Sequence, residues 1–563
     1  MSADKPGLLR RLDRSPFRPR RRVIRAIIGL TVLAGLLMAP AGATPAGAAP
    51  AAFTTSGPAT TSGPTPTSGP ATTAPPGRAV ASLTTSVLSV RRLPTFVASS
   101  VATAHLDMSL TKILANPALH QAGTGSCLQV TQDGRTLFSA QPAQELLPAS
   151  NLKLFTATAA LDKLGPDSRI TTPVEADHPP VGGVISGNLY LVGAGDPILR
   201  TPDFVASLTD PEAIYTSLDT LAAQVRAAGV TRISGSVVVD ETRYDAQRVV
   251  ATWRPSYLAE GVVGPLSAVD VDDGFASFGG GRDVASPQPA VQAATRLQSA
   301  LRAAGVQVGG PAVTGTAPAG AVTVTSIASP PLADVLGAVL RTSDDTGAEL
   351  ITKELGRRFG TGGGTTVAGV AVVRADLAAD GLPIAQLQAV DGSGLDRSDR
   401  ASCPLVVAAL TRAGSTSDLA STLPVAGRTG TLFRRMVNTP AAGRVIAKTG
   451  TLDDVSALSG FVLAPGTPLP AGPPLTTPPI PVAPTTTPPI PVAPTTSPST
   501  TPGPAAYSRS PLTFSLIQNG VPAYTTGEVI GDQIGVALAA YPSGPDPAML
   551  GPLPVTTSTE VRP

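Results

Sequence analysis

A serine and a lysine stand three positions apart in "LPASNLKLFT", residues 147–156. The apolar spacing that follows, which Gly165 and Pro166 end, predicts a helix beginning near Ser150, with Lys153 one turn later on the same side. A serine hydroxyl needs a base to become a good nucleophile, and a neutral lysine amine is such a base. The start of a helix also supplies N–H groups that stabilise an oxyanion. The pair is therefore either a Ser-Lys catalytic centre or an N-cap serine beside a solvated lysine.

Two further motifs favour the catalytic interpretation. Ser343 lies at a predicted helix entrance in "RTSDDTGAEL", and Lys448, Thr449 and Gly450 open a predicted strand in "RVIAKTGTL". Only six of the 41 basic residues are lysines, so the lysines of these motifs indicate a need for an amine that titrates, which a guanidinium does not provide. The order S-x-x-K, S-D-x, K-T-G is that of the penicilloyl serine transferases.

On these motifs the chain resembles the D-alanyl-D-alanine carboxypeptidase/endopeptidase family, the class C low-molecular-mass penicillin-binding proteins. The resemblance covers about residues 107–463 and 507–545. It includes four more stretches: "GNLYLVGAGDPIL" (187–199), "GSVVVDETRYD" (235–245), "DGSGLDR" (391–397) and "GRTGTLFRRM" (427–436). The implied fold class is α/β: a β-lactamase/transpeptidase-like serine hydrolase domain, an antiparallel sheet with helices, that carries a large β-rich inserted region.

The resemblance also implies a role for each motif residue. The expected catalytic residues, in the order nucleophile, base and two proton-relay groups, are Ser150, Lys153, Ser343 and Lys448. The expected substrate-binding residues are Asp345, Thr449, Gly450 and Thr451. The N–H groups of Ser150 and Thr451 would hold the oxyanion, and Thr449 would bind the terminal carboxylate.

The implied reaction is D-Ala-D-Ala carboxypeptidase or endopeptidase cleavage of peptidoglycan stem peptides. Ser150 attacks the carbonyl of the penultimate D-alanine, and water then hydrolyses the acyl-enzyme. β-Lactams resemble the D-Ala-D-Ala end, so they are the expected covalent inhibitors.

One residue departs from the family's pattern, because Asp345 stands where the second motif has asparagine. An asparagine amide donates and accepts hydrogen bonds, whereas an ionised aspartate only accepts. A carboxylate near Lys153 also favours the ammonium form and opposes base catalysis. Two alternatives to the carboxypeptidase stay open: a penicillin-binding cell-wall protein impaired by Asp345, and a β-lactamase or esterase on the same fold.

Two segments imitate the motifs, and the remaining chemistry-bearing residues are few. "SGN" at 186–188 lies in a predicted turn of the inserted region, and "RTG" at 428–430 has arginine in place of lysine, so Ser343 and Lys448 are preferred.

The three histidines and two cysteines are widely separated, which predicts no metal site and no cofactor. Cys127 and Cys403 either pair or remain two buried thiols. A net charge of +2 gives no basic field for nucleic acid.

Composition shifts divide the chain. Arginines precede the apolar run "AIIGLTVLAGLLM", which predicts a cleaved signal peptide or an uncleaved membrane anchor and hence an extracytoplasmic location. A Pro-rich insertion between two strand-like segments is either a passive spacer or a docking loop. The predicted segments are 1–48 signal peptide or anchor, 49–106 linker, 107–170, 326–463 and 507–545 catalytic domain, 171–325 inserted region with a helix over 289–304, 464–506 Pro-rich insertion and 546–563 disordered tail.

Overall fold

The computed structural model describes residues 93–208, 213–470 and 510–550, all within the compact unit Val80–Pro563. The predicted signal segment, the linker up to residue 92 and residues 471–506 of the Pro-rich insertion lie outside these ranges. Of the predicted tail, a short 3₁₀ turn at Pro547–Leu550 is described. No helix within the described ranges combines the length and apolarity that crossing a membrane requires.

Twenty strands occur in the described residues. The first ten are β1 (Gly125–Gln132), β2 (Arg135–Ala140), β3 (Glu145–Leu146), β4 (Thr171–Ala176), β5 (Val184–Ile185), β6 (Leu189–Val192), β7 (Leu199–Arg200), β8 (Thr216–Ser217), β9 (Arg232–Ile233) and β10 (Val237–Asp240). The others are β11 (Phe275–Ser277), β12 (Val284–Ala285), β13 (Gln307–Val308), β14 (Ala312–Thr314), β15 (Val322–Ala328), β16 (Leu387–Gln388), β17 (Arg400–Ser402), β18 (Val445–Leu452), β19 (Val455–Val462) and β20 (Leu512–Asn519).

Twelve α-helices occur in the same ranges. They are α1 (Pro94–Leu114), α2 (Lys153–Leu164), α3 (Pro202–Ser207), α4 (Leu218–Ala227), α5 (Ser256–Ala259), α6 (Pro289–Ala303), α7 (Leu332–Thr342), α8 (Asp345–Phe359), α9 (Thr366–Ala379), α10 (Cys403–Ala413), α11 (Asp418–Ser421) and α12 (Glu528–Ala540). A 3₁₀ turn over Ala149–Leu152 leads directly into α2.

The main sheet is antiparallel, with strand order β18-β19-β20-β1-β2. β19 and β20 pair along their full length, although the Pro-rich insertion separates them in sequence. Lys448, Thr449 and Gly450 are the fourth to sixth of the eight residues of β18, whereas the sequence placed them at the opening of a strand. The strand begins earlier because Val445 and the two apolar residues after it are buried and already paired with β19.

Alternate residues of the main sheet face two different helical layers. Cys127 and Ile517 belong to a core shared with α2, α7, α8 and α10. Their neighbours Leu128 and Leu516 belong to a core shared with α1 and α12. Because helices cover both faces, α2 is buried on all sides from Lys153 to Ala160, and Lys153 is not on a solvated face.

Helix α1 corrects one predicted boundary. The linker was predicted to extend to residue 106, but the chain is helical from Pro94. Ala98, Ala102 and Leu106 recur every four residues, which places them on one face of the helix, and all three are buried. Proline at the first helical position begins α1, since proline needs no intrahelical N–H partner there.

A second sheet lies within residues 171–328, called the insert below. Its strand order is β14-β10-β6-β4-β15, with β6, β10 and β14 parallel to one another and the other pairings antiparallel. The two central strands β6 and β10 are almost entirely buried, as is usual for parallel strands that helices cover. Helices α4 and α6 pack on this sheet, and of the helices α3 to α6 the sequence predicted only α6.

Cys127 and Cys403 form a disulfide with a Cα–Cα distance of 5.9 Å, so the structure selects one of the two alternatives that the sequence left open. The bond joins the interior strand β1 of the main sheet to the first residue of α10.

Candidate active site

Ser150 lies in a tight turn that other segments approach closely. The preceding residue, Ala149, has φ of 48°, a left-handed conformation that L-residues with a side chain rarely adopt. A Cβ on Gly394 would come within 2.0 Å of the Ala149 carbonyl oxygen, and one on Gly450 within 2.6 Å of the Pro148 oxygen. Glycine at these two positions therefore lets the 391–397 loop and strand β18 reach the turn that carries Ser150.

Lys153 lies below Ser150 with its side chain fully buried. Its Nζ donates to Ser150 Oγ at 3.1 Å, to the Ser393 carbonyl oxygen at 2.8 Å and to Asp345 Oδ1 at 2.5 Å. A buried ammonium is costly unless it is paired and fully hydrogen-bonded, and these three acceptors satisfy its three donors.

The second serine and lysine of the motifs also meet. Ser343 forms the left-handed turn between α7 and α8, with φ of 60°. Lys448 Nζ donates to Ser343 Oγ and to the Thr449 carbonyl oxygen, each at 2.8 Å. Burial, and then the charge of Lys153, lower the pKa of the Lys448 amine well below its usual value.

Asp345 is turned toward Lys153. It is the first residue of α8, and its carboxylate bonds Lys153 while its side chain keeps 11% exposure. Burial raises the pKa of the Asp345 carboxyl, although the adjacent Lys153 acts in the opposite direction. Two amines and one carboxyl therefore share this site, and the charge of Asp345 also counteracts the lowered pKa of Lys448.

The outer residues of β18 line the same turn. Thr449 Oγ1 donates to Thr431 Oγ1 at 2.8 Å, which fixes the orientation of the Thr449 hydroxyl. Gly450 and Thr451 pair with Ala457 and Ser456 of β19. The sequence placed Thr431 in a family stretch, "GRTGTLFRRM", but gave it no role.

One more supporting group, Glu349, lacks a local sequence signal. Glu349 is buried one turn after Asp345 on the same face of α8, and its Oε1 accepts the N–H groups of Gly392 and Ser393, each at 2.8 Å. These bonds hold the loop whose Ser393 carbonyl binds Lys153. Burial, and then the neighbouring Asp391, raise the pKa of Glu349 to about 8.

Elsewhere in the described ranges, three carboxyls come close enough to suggest a cation site. The oxygens of Asp162, Asp376 and Asp380 lie within 4.8 Å of one another. Lys163 already pairs with Asp376, and Arg412 pairs with both other carboxyls, so protein cations largely neutralise the group.

The structure thus brings the three sequence motifs together in one site at the edge of an antiparallel sheet covered by helices. Such a fold and site define a serine hydrolase of the β-lactamase/transpeptidase type with lysine in place of histidine.

Comparison with known proteins identifies the family within this class of serine hydrolases. The sequence profile of the D-Ala-D-Ala carboxypeptidase 3 (S13) family matches residues 106–279 and 276–468, and the chain belongs to this family. The D-alanyl-D-alanine carboxypeptidase of an Actinomadura species is 31% identical over 476 residues, which cover 69% of this chain and 86% of that protein. The chain is a serine-type D-Ala-D-Ala carboxypeptidase.

Solved structures agree with the fold. Penicillin-binding protein 4 from Haemophilus influenzae has a TM-score of 0.58 at 18% identity, and the match covers 76% of this chain and 98% of that one. The same protein in complex with a β-lactam has a TM-score of 0.53 at 18% identity, covering 77% of this chain and 99% of that one.

Proposed function

We propose that Ser150 is the nucleophile of this carboxypeptidase and forms an acyl-enzyme with the penultimate D-alanine of a stem peptide. The observation that carries the proposal is the 3.1 Å contact between Lys153 Nζ and Ser150 Oγ in a buried site. Attack forms the bond from Oγ to the carbonyl carbon and transfers the hydroxyl proton to a neutral Lys153 amine.

Asp345 makes the neutral amine available through proton exchange. Proton transfer from Lys153 along the 2.5 Å contact gives a neutral lysine beside a protonated carboxyl. Burial favours the uncharged pair, because it raises the pKa of the Asp345 carboxyl. Asp345 is therefore a proton-holding partner of Lys153 rather than a group that contacts substrate.

The remaining motif residues support the tetrahedral intermediate and its collapse. The N–H groups of Ser150 and Thr451 hold the oxyanion, and Thr449, with Gly450 beside it in β18, receives the terminal carboxylate of the substrate. The C–N bond breaks as the leaving D-alanine amine takes a proton relayed by Ser343 and Lys448, whose contact is 2.8 Å. Water then hydrolyses the ester on Ser150 in the reverse proton sequence.

The substrates of this reaction are peptidoglycan stem peptides, so the enzyme acts outside the cytoplasm. β-Lactams acylate Ser150 because their ring carbonyl takes the place of the scissile amide. This part of the proposal draws support from the family and from the related penicillin-binding protein that has been solved with a β-lactam.

Intact-mass analysis with benzylpenicillin, beside a D-alanine release assay on a D-Ala-D-Ala stem peptide, tests the proposal. We expect a stable adduct of one penicilloyl group and release of D-alanine by the wild-type protein, and neither by Ser150→Ala. An adduct that persists in Ser150→Ala would contradict the assignment of the nucleophile.

A penicillin-binding protein with impaired turnover is the second candidate. The observation that favours it is the short ion pair between Asp345 and Lys153, which stabilises the ammonium form and so withholds the base. The same assays separate the two functions, because an adduct without D-alanine release in the wild type, together with release by Asp345→Asn, supports the impaired protein.

A further inference from the structure

Helix α8 carries the second motif, and the insert contacts the first turn of this helix. Arg200, from β7 of the insert, has a side chain that is only 3% exposed. Its Nη2 lies 3.2 Å from Asp344 Oδ2 and 3.1 Å from Asp273 Oδ1, and its guanidinium stacks over Phe204 of α3. One buried arginine therefore joins the insert to the residue between Ser343 and Asp345.

Asp344 also accepts a second hydrogen bond, from the backbone of α8. Its other oxygen, Oδ1, accepts the Gly347 N–H at 2.8 Å and so caps the N-terminus of α8. The carboxylate is thus fixed between the helix and Arg200. Because Asp344 is held in this way, the adjacent Ser343 and Asp345 are oriented toward Lys448 and Lys153, respectively.

The surroundings of Arg200 contain an excess of carboxyls. Asp270 is buried, and neither of its carboxyl oxygens has a hydrogen-bond partner among the described residues. Asp270, Asp273 and Asp344 all interact electrostatically with this one guanidinium. Removal of this one cation would leave several buried carboxyls facing each other, so they would move apart or bind protons.

The insert contacts the same helix again further along. Lys353 Nζ binds Asp245 Oδ1 at 2.5 Å, and Arg243 forms a two-pronged pair with Glu354 at 2.6 and 2.8 Å. Because these contacts already attach the insert to α8, the loss of Arg200 would alter the start of the helix without detaching the whole insert.

We propose that Arg200 is a positioning residue of the active site, through which the insert holds Asp344 and thereby sets Ser343 and Asp345 against the two catalytic lysines. The insert is then part of the catalytic machinery rather than a passive addition. This inference rests on the proposed function of Ser150.

Stopped-flow acylation by a chromogenic cephalosporin, with D-alanine release under steady state, measures the effect. We expect Arg200→Met to lower the acylation rate constant and kcat about 10- to 100-fold and to change KM less than about 3-fold, because β18 still presents the substrate-binding residues. Arg200→Lys keeps the charge but not the fork that reaches two carboxylates, so we expect partial rescue.

Arg296→Met is the matched control. Arg296 also belongs to the insert, pairs with Asp272 at 2.9 Å and stacks over Phe278, but among the described residues it has no hydrogen bond or ion pair with the second motif. We expect the two methionine variants to lose similar thermal stability, with the fall in acylation confined to Arg200→Met. Equal acylation rates in the two variants would overturn the inference.

A double-mutant cycle keeps the test decisive if Arg200→Met does not fold. Asp344→Asn retains a capping side chain but loses the charge that Arg200 holds. We expect the effects of Arg200→Lys and Asp344→Asn on acylation to be strongly non-additive, and additive effects would overturn the inference. A wild-type protein that neither acylates nor releases D-alanine would instead overturn the proposed function itself, and the inference with it.

Discussion

The carboxyl of Asp345 changes the proton balance of the site. It bonds Lys153 directly and opposes the low pKa of Lys448, so one charge acts on the amines of both lysines. An asparagine would hydrogen-bond but would not stabilise either ammonium. The protonation state of the whole site therefore depends on this position.

We expect Asp345→Asn to move the rising limb of the pH–rate profile for acylation to lower pH, by about one unit or more. Loss of the carboxylate removes a charge that raises the pKa of Lys448, so the pKa of this amine falls further. Measurement of acylation from pH 5 to 10 checks this. An unchanged profile would show that Asp345 carries no charge in the working enzyme.

Thr431 forms a hydrogen bond with the hydroxyl of Thr449. In the structure its Oγ1 accepts a hydrogen bond from Thr449, the residue proposed to bind the substrate carboxylate; when Thr449 donates to that carboxylate instead, Thr431 donates to Thr449 and keeps it oriented. Since one hydrogen bond contributes about 0.5–1.5 kcal/mol, we expect Thr431→Val to raise KM for the stem peptide roughly 2- to 10-fold with little change in kcat. Thr431→Ser keeps the hydroxyl and is the control, and a matching rise in KM there would indicate a packing effect instead.

At the scale of elements, α8 links the second motif to the 391–397 loop. Asp345 and Glu349 lie on one face of the helix, the first toward Lys153 and the second toward the loop backbone. The loop in turn provides the Ser393 carbonyl to Lys153. Asp345 and Glu349 therefore both help to position the Lys153 amine, the first directly and the second through the Ser393 carbonyl.

We expect Glu349→Ala to lower the free energy of unfolding by about 2–4 kcal/mol, because it leaves two buried N–H groups without an acceptor. The acylation rate should fall as well, since the loop carrying Ser393 is released. Urea denaturation and stopped-flow acylation measure the two effects. Glu349→Gln retains an acceptor oxygen, and an equal loss in that variant would contradict the hydrogen-bond explanation.

The disulfide joins the middle of the main sheet to α10. We expect Cys127→Ala combined with Cys403→Ala to lower the free energy of unfolding by about 2–4 kcal/mol while the folded enzyme still acylates, because the bond lies in the core and not at the catalytic groups. Denaturant titration and penicillin adduct formation check both parts. Loss of adduct formation in a folded variant would mean that the bond positions the site.

For the whole molecule, several buried carboxyls have raised pKa values: Asp196 to about 6, Asp273 to about 7, Glu349 to about 8 and Asp399 to about 10, with burial the largest cause in each. Unfolded carboxyls ionise near pH 4, so above that pH the native state holds protons that the unfolded chain has lost. Stability from these groups is complete below pH 4 and is lost as pH rises through each folded pKa. Lys448 acts in the opposite direction, but it is one group against four.

We therefore expect the free energy of unfolding to fall by on the order of a few kcal/mol between pH 5 and pH 9. Denaturant titration across this range measures it. Glu349→Gln, which cannot ionise, should flatten the slope below pH 8. Stability that rises across the range would show that these carboxyls are ionised in the native protein.

Features that depend on local spacing were predictable from the order of the residues alone. The helix after Ser150, the helix near 289–304 and the order of the three motifs follow from residue types within one or two turns or strands of each other. Resemblance to a known family added the fold class and the identity of Ser343 and Lys448 as partners. The local predictions hold because backbone periodicity fixes which side chains share a face.

Contacts between distant segments became known from the folded chain. It paired Cys127 with Cys403, turned Asp345 toward Lys153 and placed Arg200 of the insert against Asp344. Each contact joins residues far apart in the chain, so its geometry depends on how whole layers pack and not on any local pattern. For the same reason the sequence motifs pointed to Ser150, Lys153, Ser343 and Lys448, whereas the groups that hold these side chains in place became visible only in the folded chain.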